Sequence, residues 1–155
     1  MTPASAASIV TWRYPVPYEQ YDMTGVNEAF LLDQANGYHV LLEGDELIGY
    51  RLFGPDGQVP GGQYDDSALD TGGGLRPDLT GRGLGKRAIA TGLAFGRETL
   101  RPAAFRVTVA EFNLRAQRVL LSLGFAHLET FAATTNGQNY QILLRPERTD
   151  RAISI

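Results

Sequence analysis

The spacing of hydrophobic and polar residues predicts strands and short helices in the first part of the chain. Residues 9–14 form an apolar run that predicts a first strand. Residues 18–34 are aromatic and acidic and predict one or two short helices. Residues 38–42 and 47–53 are apolar runs on either side of a polar turn, which is typical of a β-hairpin.

A glycine-rich and proline-rich segment separates this hairpin from the next predicted strand. Residues 54–66 are mostly polar and predict an exposed loop, which is either a functional lid or a disordered excursion. Residues 67–76 predict a strand that contains three consecutive glycines, at positions 72–74. Glycines weaken an ordinary strand, so they indicate a bulge or the close approach of another group, although a pure packing role is also open.

The second half of the chain predicts two helices and three strands. A helix begins at Leu84 and ends before Pro102, and its small, apolar face predicts close packing on a sheet. A valine-rich strand at residues 105–110 precedes a helical stripe at residues 116–123, and Gly124 is placed to end that helix in the left-handed conformation. Residues 126–133 and 138–144 predict two final strands.

This order of elements predicts an α/β (or α+β) fold in which helices cover a mixed sheet. The chain has 155 residues and no internal repeat, so we expect a single domain over residues 1–155. Residues 1–8 and 146–155 are expected to be flexible tails.

Composition narrows the chemistry that the chain can perform. A formal net charge of -3 argues against nucleic acid as a partner. The absence of cysteine excludes a thiol nucleophile and a thiolate zinc site, and His39 and His127 lack the spacing of metal ligands, so no metal is expected. Neither a signal peptide nor a membrane-spanning run is recognisable, which favours a cytoplasmic protein without a membrane partner.

The segment with the most chemical information is the glycine-punctuated turn at residues 75–86. Glycines let a backbone approach an anion closely, and the helix that follows directs its positive end toward the same place. The turn is neither a Walker loop nor a dinucleotide fingerprint, because Thr80, Arg87 and Lys86 occupy positions that those motifs reserve for other residues. An ordinary helix entry is the alternative interpretation.

Two sequence blocks resemble the GNAT superfamily of acyl-CoA-dependent N-acetyltransferases. Residues 80–85, Thr-Gly-Arg-Gly-Leu-Gly, are similar to its pyrophosphate loop, except that Thr80 stands where arginine or glutamine is usual. Residues 109–116 and the later Leu123-Gly124-Phe125 resemble its second motif, in which an asparagine begins a helix. The resemblance implies a GNAT-like, mostly antiparallel sheet with splayed central parallel strands and helices on both faces.

The resemblance also implies acetyl-CoA as co-substrate and a set of binding residues. Expected contacts to acetyl-CoA come from Leu75, Arg76, Gly81, Arg82, Gly83, Leu84, Gly85, Lys86 and Asn113. Asn113 bonds the pantetheine arm in this interpretation, whereas simple helix capping is the alternative. A backbone N–H within residues 73–75 is expected to donate to the thioester oxygen.

The resemblance leaves the proton-transfer groups open. Leu120 occupies the position of the usual tyrosine acid, so another tyrosine such as Tyr140, a water, or the product ammonium must supply the proton. Asp70 and Glu111 are the predicted general bases. An acidic and aromatic acceptor site suited to a cationic amine, or alternatively just a solvated acidic surface, is expected from Tyr18, Glu19, Tyr21, Asp22, Tyr64, Asp65 and Asp66.

The sequence therefore favours transfer of an acetyl group to a primary amine. The acceptor is a small molecule, such as an aminoglycoside-like antibiotic, or a protein N-terminus. A non-catalytic acyl-CoA-binding or sensing module is the alternative, and a domain whose arginines bind nucleic acid or protein is a third hypothesis. A homodimer is left open.

Overall fold

A computed structural model describes residues 1–148, in which four α-helices and six β-strands are found. The helices are α1 (Pro3–Ile9), α2 (Glu28–Leu32), α3 (Gly85–Leu100) and α4 (Leu114–Ser122). The strands are β1 (Tyr38–Glu43), β2 (Glu46–Phe53), β3 (Leu69–Leu75), β4 (Ala104–Ala110), β5 (Ala126–Ala132) and β6 (Asn139–Pro146). They form one sheet in the order β1-β2-β3-β4-β6-β5, which confirms the predicted mixed α/β fold.

The sheet opens at its centre, where its two parallel strands meet. β3 and β4 pair only at Leu69 with Phe105 and at Asp70 with Arg106. On its other side β3 stays paired with β2 as far as Leu75. The two parallel strands therefore diverge after Asp70 and leave a wedge-shaped gap, as the predicted splay requires.

Helices cover both faces of the sheet, each over its own hydrophobic core. On one face α3 and α4 pack over a cluster that includes Leu93, Phe105 and Leu120. On the other face α1 and α2 cover Trp12, Met23, Tyr50 and Leu52. The small face of α3 packs as predicted, because a Cβ added at Gly96 would lie 2.7 Å from a ring carbon of Phe53.

Two predictions at the N-terminal end of the chain are wrong. Residues 9–14 do not form a strand, and residues 1–8 are not a flexible tail, because α1 occupies Pro3–Ile9. Thr2 caps this helix through its side chain, Pro3 suits its first turn, and Ala6 and Ile9 are fully buried. Of the run at residues 9–14 only Ile9 belongs to α1, whereas residues 10–14 form a turn and an irregular segment in which Trp12 is buried.

The C-terminal boundary also differs from the prediction. β6 continues to Pro146, and Glu147 N donates to Ala103 O at 2.9 Å, so the predicted tail begins too early. Residues 149–155 lie outside the described residues. The other predicted elements are present within about two residues, including the left-handed Gly124 with φ of 92°. Among residues 1–148, no helix has the length and apolar character needed to cross a bilayer.

Candidate active site

A cavity of about 470 Å³ lies where β3 and β4 diverge, and it is lined from both faces of the sheet. Four tyrosines from the α1 and α2 side form one wall: Tyr14, Tyr18, Tyr21 and Tyr50. The opposite wall comes from the end of β3, the glycine turn and the starts of α3 and α4: Gly73, Gly74, Leu75, Thr80, Gly81, Gly83, Gly85, Lys86, Ile89, Asn113, Arg115, Ala116 and Val119. We call this cavity the cleft.

The glycine turn has the geometry of an anion cradle. Gly81 and Gly83 both adopt left-handed conformations, with φ of 74° and 77°. A Cβ added at Gly83 or Gly85 would meet no atom within 4 Å, so space is open in front of the turn. No side chain caps the N-terminus of α3, which leaves its first N–H groups available to a ligand.

The predicted cofactor residues divide into those that line the cleft and those that do not. Leu75, Gly81, Gly83, Gly85, Lys86 and Asn113 line it. Arg82 and Leu84 belong to the same turn but contribute nothing to the lining. Arg76 is directed away from the cleft, because its guanidinium bonds Glu46 at 2.9 Å and Asp78 at 2.6 Å.

Backbone groups of β3 point into the gap. Arg76 N donates to Ile48 O at 2.8 Å, and Gly54 N donates to Asp70 O at 2.8 Å, so the even-numbered positions of β3 bond β2. Bonding direction alternates along a strand, and therefore Gly73 and Leu75 direct their N–H and C=O groups toward the gap. Leu75 O accepts from Tyr14 Oη at 2.6 Å, whereas the Gly73 N–H has no strand partner.

Asn113 holds one of the cleft tyrosines. Its Oδ1 accepts from Ala116 N at 3.1 Å, so the residue is the N-cap of α4. This cap fixes the orientation of the amide, and Nδ2 donates to Tyr21 Oη at 3.1 Å. The Tyr21 oxygen is thus an acceptor, and no residue among 1–148 accepts the proton of Tyr21.

Three cleft tyrosines, Tyr14, Tyr21 and Tyr50, are protonated at neutral pH. Burial raises the pKa of Tyr14 and of Tyr21 above the ordinary value, and burial raises the pKa of Tyr50 to about 12. Tyr50 Oη donates to Met23 Sδ at 3.3 Å, so its proton, like that of Tyr14, is committed to a protein acceptor. Tyr21 therefore differs from both in having a proton to give to a ligand.

Two arginines near the cleft were not predicted. Arg115 places its guanidinium 4.4 Å from the ring centroid of Tyr18, and a Cβ added at Gly81 would lie 3.6 Å from its Nη1. Arg51 is buried on the α3 face, where a Cβ at Gly73 would lie 2.7 Å from its Nη1. Its Nε has no hydrogen-bond partner within residues 1–148, and burial lowers its pKa to about 10.

The two carboxylates predicted as general bases lie outside the cleft lining. Asp70 is only 4% exposed, and it accepts from Arg106 Nε at 2.7 Å and Nη2 at 2.8 Å and from Gln58 Nε2 at 2.9 Å. Glu111 is exposed at the surface. This geometry gives neither carboxylate a direct contact with a molecule in the cleft.

The expected acidic acceptor lining is likewise not found. Of its seven members only Tyr18 and Tyr21 line the cleft. Asp22 Oδ1 accepts from Tyr14 N at 2.6 Å, Asp65 bonds Ser67 and Arg106, and Tyr64 Oη is hydrogen bonded to Thr108 Oγ1 at 2.8 Å. Within residues 1–148, no group of three or more histidine, aspartate or glutamate side chains is arranged to hold a metal ion.

Comparison with known proteins places this fold among acetyltransferases. An aminoglycoside acetyltransferase in complex with coenzyme A and kanamycin has a similar structure, with a TM-score of 0.74 and 17% identity over 95% of this chain and 92% of that chain. A spermidine N-acetyltransferase chimera from Vibrio cholerae and hSSAT has a TM-score of 0.70 and 14% identity over 94% of this chain and 92% of that chain. A ribosomal-protein-S5-alanine acetyltransferase from Vibrio fischeri has a TM-score of 0.65 and 13% identity over 96% of this chain and 91% of that chain.

Sequence comparison provides the family assignment. No curated protein sequence matches the chain. Residues 4–125 match the acetyltransferase (GNAT) family, and this span contains both the glycine turn and Asn113. The chain therefore belongs to the GNAT acetyltransferase family.

Proposed function

We propose that the protein transfers an acetyl group from acetyl-CoA to a primary amine of a small molecule or of a protein N-terminus. The observation that carries this proposal is that two sets of backbone N–H donors lie along one cleft. The open N–H of Gly73 lies at the splayed strand, and the left-handed glycine turn lies at the N-terminus of α3. Structural relatives that contain acetyl-CoA or coenzyme A support this assignment.

The cleft fits coenzyme A in its charge and in its backbone geometry. The N–H groups of the turn, with Lys86 and Arg115 beside them, suit the pyrophosphate. The gap between β3 and β4 admits an extended arm that bonds Gly73 and Leu75 as a further strand does. Asn113 lies at the same cleft and is the proposed contact for the pantetheine amides.

Acyl transfer requires loss of the amine proton, stabilisation of the thioester oxygen and a proton for the departing thiolate, and the chain's residues supply the last two. Acetyl-CoA contributes the activated acyl group. The Gly73 N–H stabilises the negative charge that develops on the thioester oxygen, since a preorganised donor acts strongly in a desolvated site. Tyr21 gives its free proton to the departing thiolate. Within residues 1–148 neither a carboxylate nor an imidazole lines the cleft, and we assign the loss of the amine proton to water.

Gly83→Val is expected to weaken acetyl-CoA binding at least tenfold. Valine opposes the left-handed conformation and places a branched side chain in the open space of the cradle. Gly44→Val is the matched control, because Gly44 is also left-handed with open space around it but lies in the β1–β2 turn. Calorimetric titration of acetyl-CoA into both variants measures the effect. Undiminished affinity in a folded Gly83→Val protein would show that the phosphates bind elsewhere.

Asn113→Ala is expected to reduce both stability and acetyl-CoA affinity, because it removes a cap and a cleft amide. Loss of a cap costs about 1 kcal/mol. Asn27→Ala is the control, since Asn27 caps α2 in the same way away from the cleft. Thermal unfolding and acetyl-CoA titration of both variants separate the two roles. If Asn113→Ala loses stability but binds acetyl-CoA normally, the residue is a cap alone.

A non-catalytic acyl-CoA-binding module remains the second candidate function. Leu120, at the position of the usual acid, has a hydrocarbon side chain with no proton to transfer, and it is only 3% exposed in the core beneath α4. Consumption of the thioester in the presence of amines distinguishes the two candidates. Stoichiometric binding of acetyl-CoA without transfer to any amine would support the binding module.

A further inference from the structure

We propose that the acceptor is a monoamine carried on an apolar or aromatic body, and that polyamines and aminoglycosides are poor substrates. This inference rests on the proposed function and names the substrate class of the same cleft. It is drawn from the charges and side chains of this chain, whose sequence is only 14–17% identical to the spermidine and aminoglycoside acetyltransferases described above.

Within residues 1–148, every charged side chain that lines the cleft is positive. Lys86 and Arg115 line it, and no carboxylate does. Arg51 adds a third cation directly behind Gly73, where the transfer reaction takes place, and it forms no ion pair with any carboxylate within residues 1–148. Coenzyme A phosphates at the glycine turn offset Lys86 and Arg115, whereas Arg51 lies beside Gly73.

A polycation would gain nothing from this environment. Each additional ammonium group of a polyamine or an aminoglycoside loses hydration on entering the cleft and finds no carboxylate to replace the lost water. Asp22 and Asp65 lie outside the lining, where Asp22 accepts from Tyr14 N and Asp65 bonds Ser67 and Arg106. Multiple positive charges therefore lower affinity rather than raise it.

Aromatic rings supply the binding surface instead. Tyr18, Tyr21 and Phe112 form a ring cluster with centroid separations of 5.9 to 6.4 Å. Tyr14 and Tyr50 lie against Gly74, where an added Cβ would be 3.1 Å from Tyr14 Oη and from a ring carbon of Tyr50. An aryl or alkyl group can pack between these rings while its single nitrogen approaches Gly73.

The test compares amines that differ in charge but share a primary amino group. The protein is first saturated with coenzyme A, and 2-phenylethylamine, spermidine and kanamycin are then titrated into this complex. We expect 2-phenylethylamine to bind at least tenfold more tightly than the two polycations. Spermidine or kanamycin binding as tightly as 2-phenylethylamine, or no binding of 2-phenylethylamine, would overturn the inference. Failure of the proposed function is separately visible as a lack of coenzyme A binding in the first step.

A second variant tests the contribution of Arg51. Arg51→Met keeps an unbranched side chain between Gly73 and Gly92 but removes the charge. The preference for 2-phenylethylamine over spermidine is expected to fall at least threefold, measured in the same coenzyme A complex. Arg118→Met, on the exposed side of α4, is the control and is expected to leave the preference unchanged. An unchanged preference in a folded Arg51→Met protein contradicts the electrostatic part of the inference.

Discussion

Asp70→Asn is expected to lower the free energy of unfolding by about 3 kcal/mol, because it leaves the buried Arg106 guanidinium without its counter-charge. Both groups are less than 5% exposed, so water cannot compensate for the lost pair. Asp65 provides only a weaker contact to Arg106, at 3.3 Å from an exposed carboxylate. Urea denaturation of the two proteins measures the difference.

The same variant tests whether Asp70 is the general base that the sequence predicts. If its role is to hold β3 against β4, turnover per folded molecule stays near the wild-type value while stability falls. Glu111→Gln, at an exposed position, is the companion variant and is expected to change stability by less than about 0.5 kcal/mol and turnover little. Normal stability with a turnover reduced about a hundredfold, in either variant, would restore the base assignment.

Tyr21→Phe is expected to lower turnover about a hundredfold while acetyl-CoA affinity changes by less than about twofold. The variant keeps the ring that packs on Tyr18 and Phe112 but removes a hydroxyl proton that no residue within 1–148 accepts, beside the Asn113 amide that holds the Tyr21 oxygen in place. Steady-state kinetics with a fixed amine, together with acetyl-CoA titration, provide both numbers.

The control and the pH profile make this prediction specific. Tyr38→Phe removes a hydroxyl that lies outside the cleft, and it is expected to leave turnover unchanged. Burial raises the pKa of Tyr21 above its ordinary value of 10, so its proton is present throughout the neutral range. Wild-type turnover should therefore rise with pH as the amine loses its proton. If Tyr21→Phe turns over at nearly the wild-type rate, the departing thiolate receives its proton from water or from the product ammonium instead.

The parts of the site that depend on neighbours in sequence could be predicted from the sequence. The left-handed turn at Gly81 and Gly83 and the helix start at Asn113 follow from local spacing, whereas the choice of Lys86 and Asn113 as cofactor residues came from the family resemblance. The sheet and its splay followed from the order of elements and from the family resemblance.

The parts of the site that depend on contacts between residues distant in the sequence could not be predicted. The partner of Asp70 lies 36 residues away on a parallel strand, and no local pattern identifies Arg106 as that partner. Tyr14 was assigned to a strand because the apolar run at residues 9–14 has no clear period, and its place in the cleft follows from its bond to Leu75 O. Arg51 was missed because Gly73 and Gly92, which make room for it beneath α3, are distant from it in the sequence.

The most direct measurement of the central claim is the fate of the acetyl group. The protein is mixed with acetyl-CoA and 2-phenylethylamine, and mass spectrometry follows the amine while a thiol reagent follows free coenzyme A. We predict equal amounts of N-acetylated amine and free coenzyme A, and loss of both products with Gly83→Val at low acetyl-CoA concentration. Acetyl-CoA that remains intact with this amine and with a broad set of other primary amines, or hydrolysis without amine acetylation, would contradict the account.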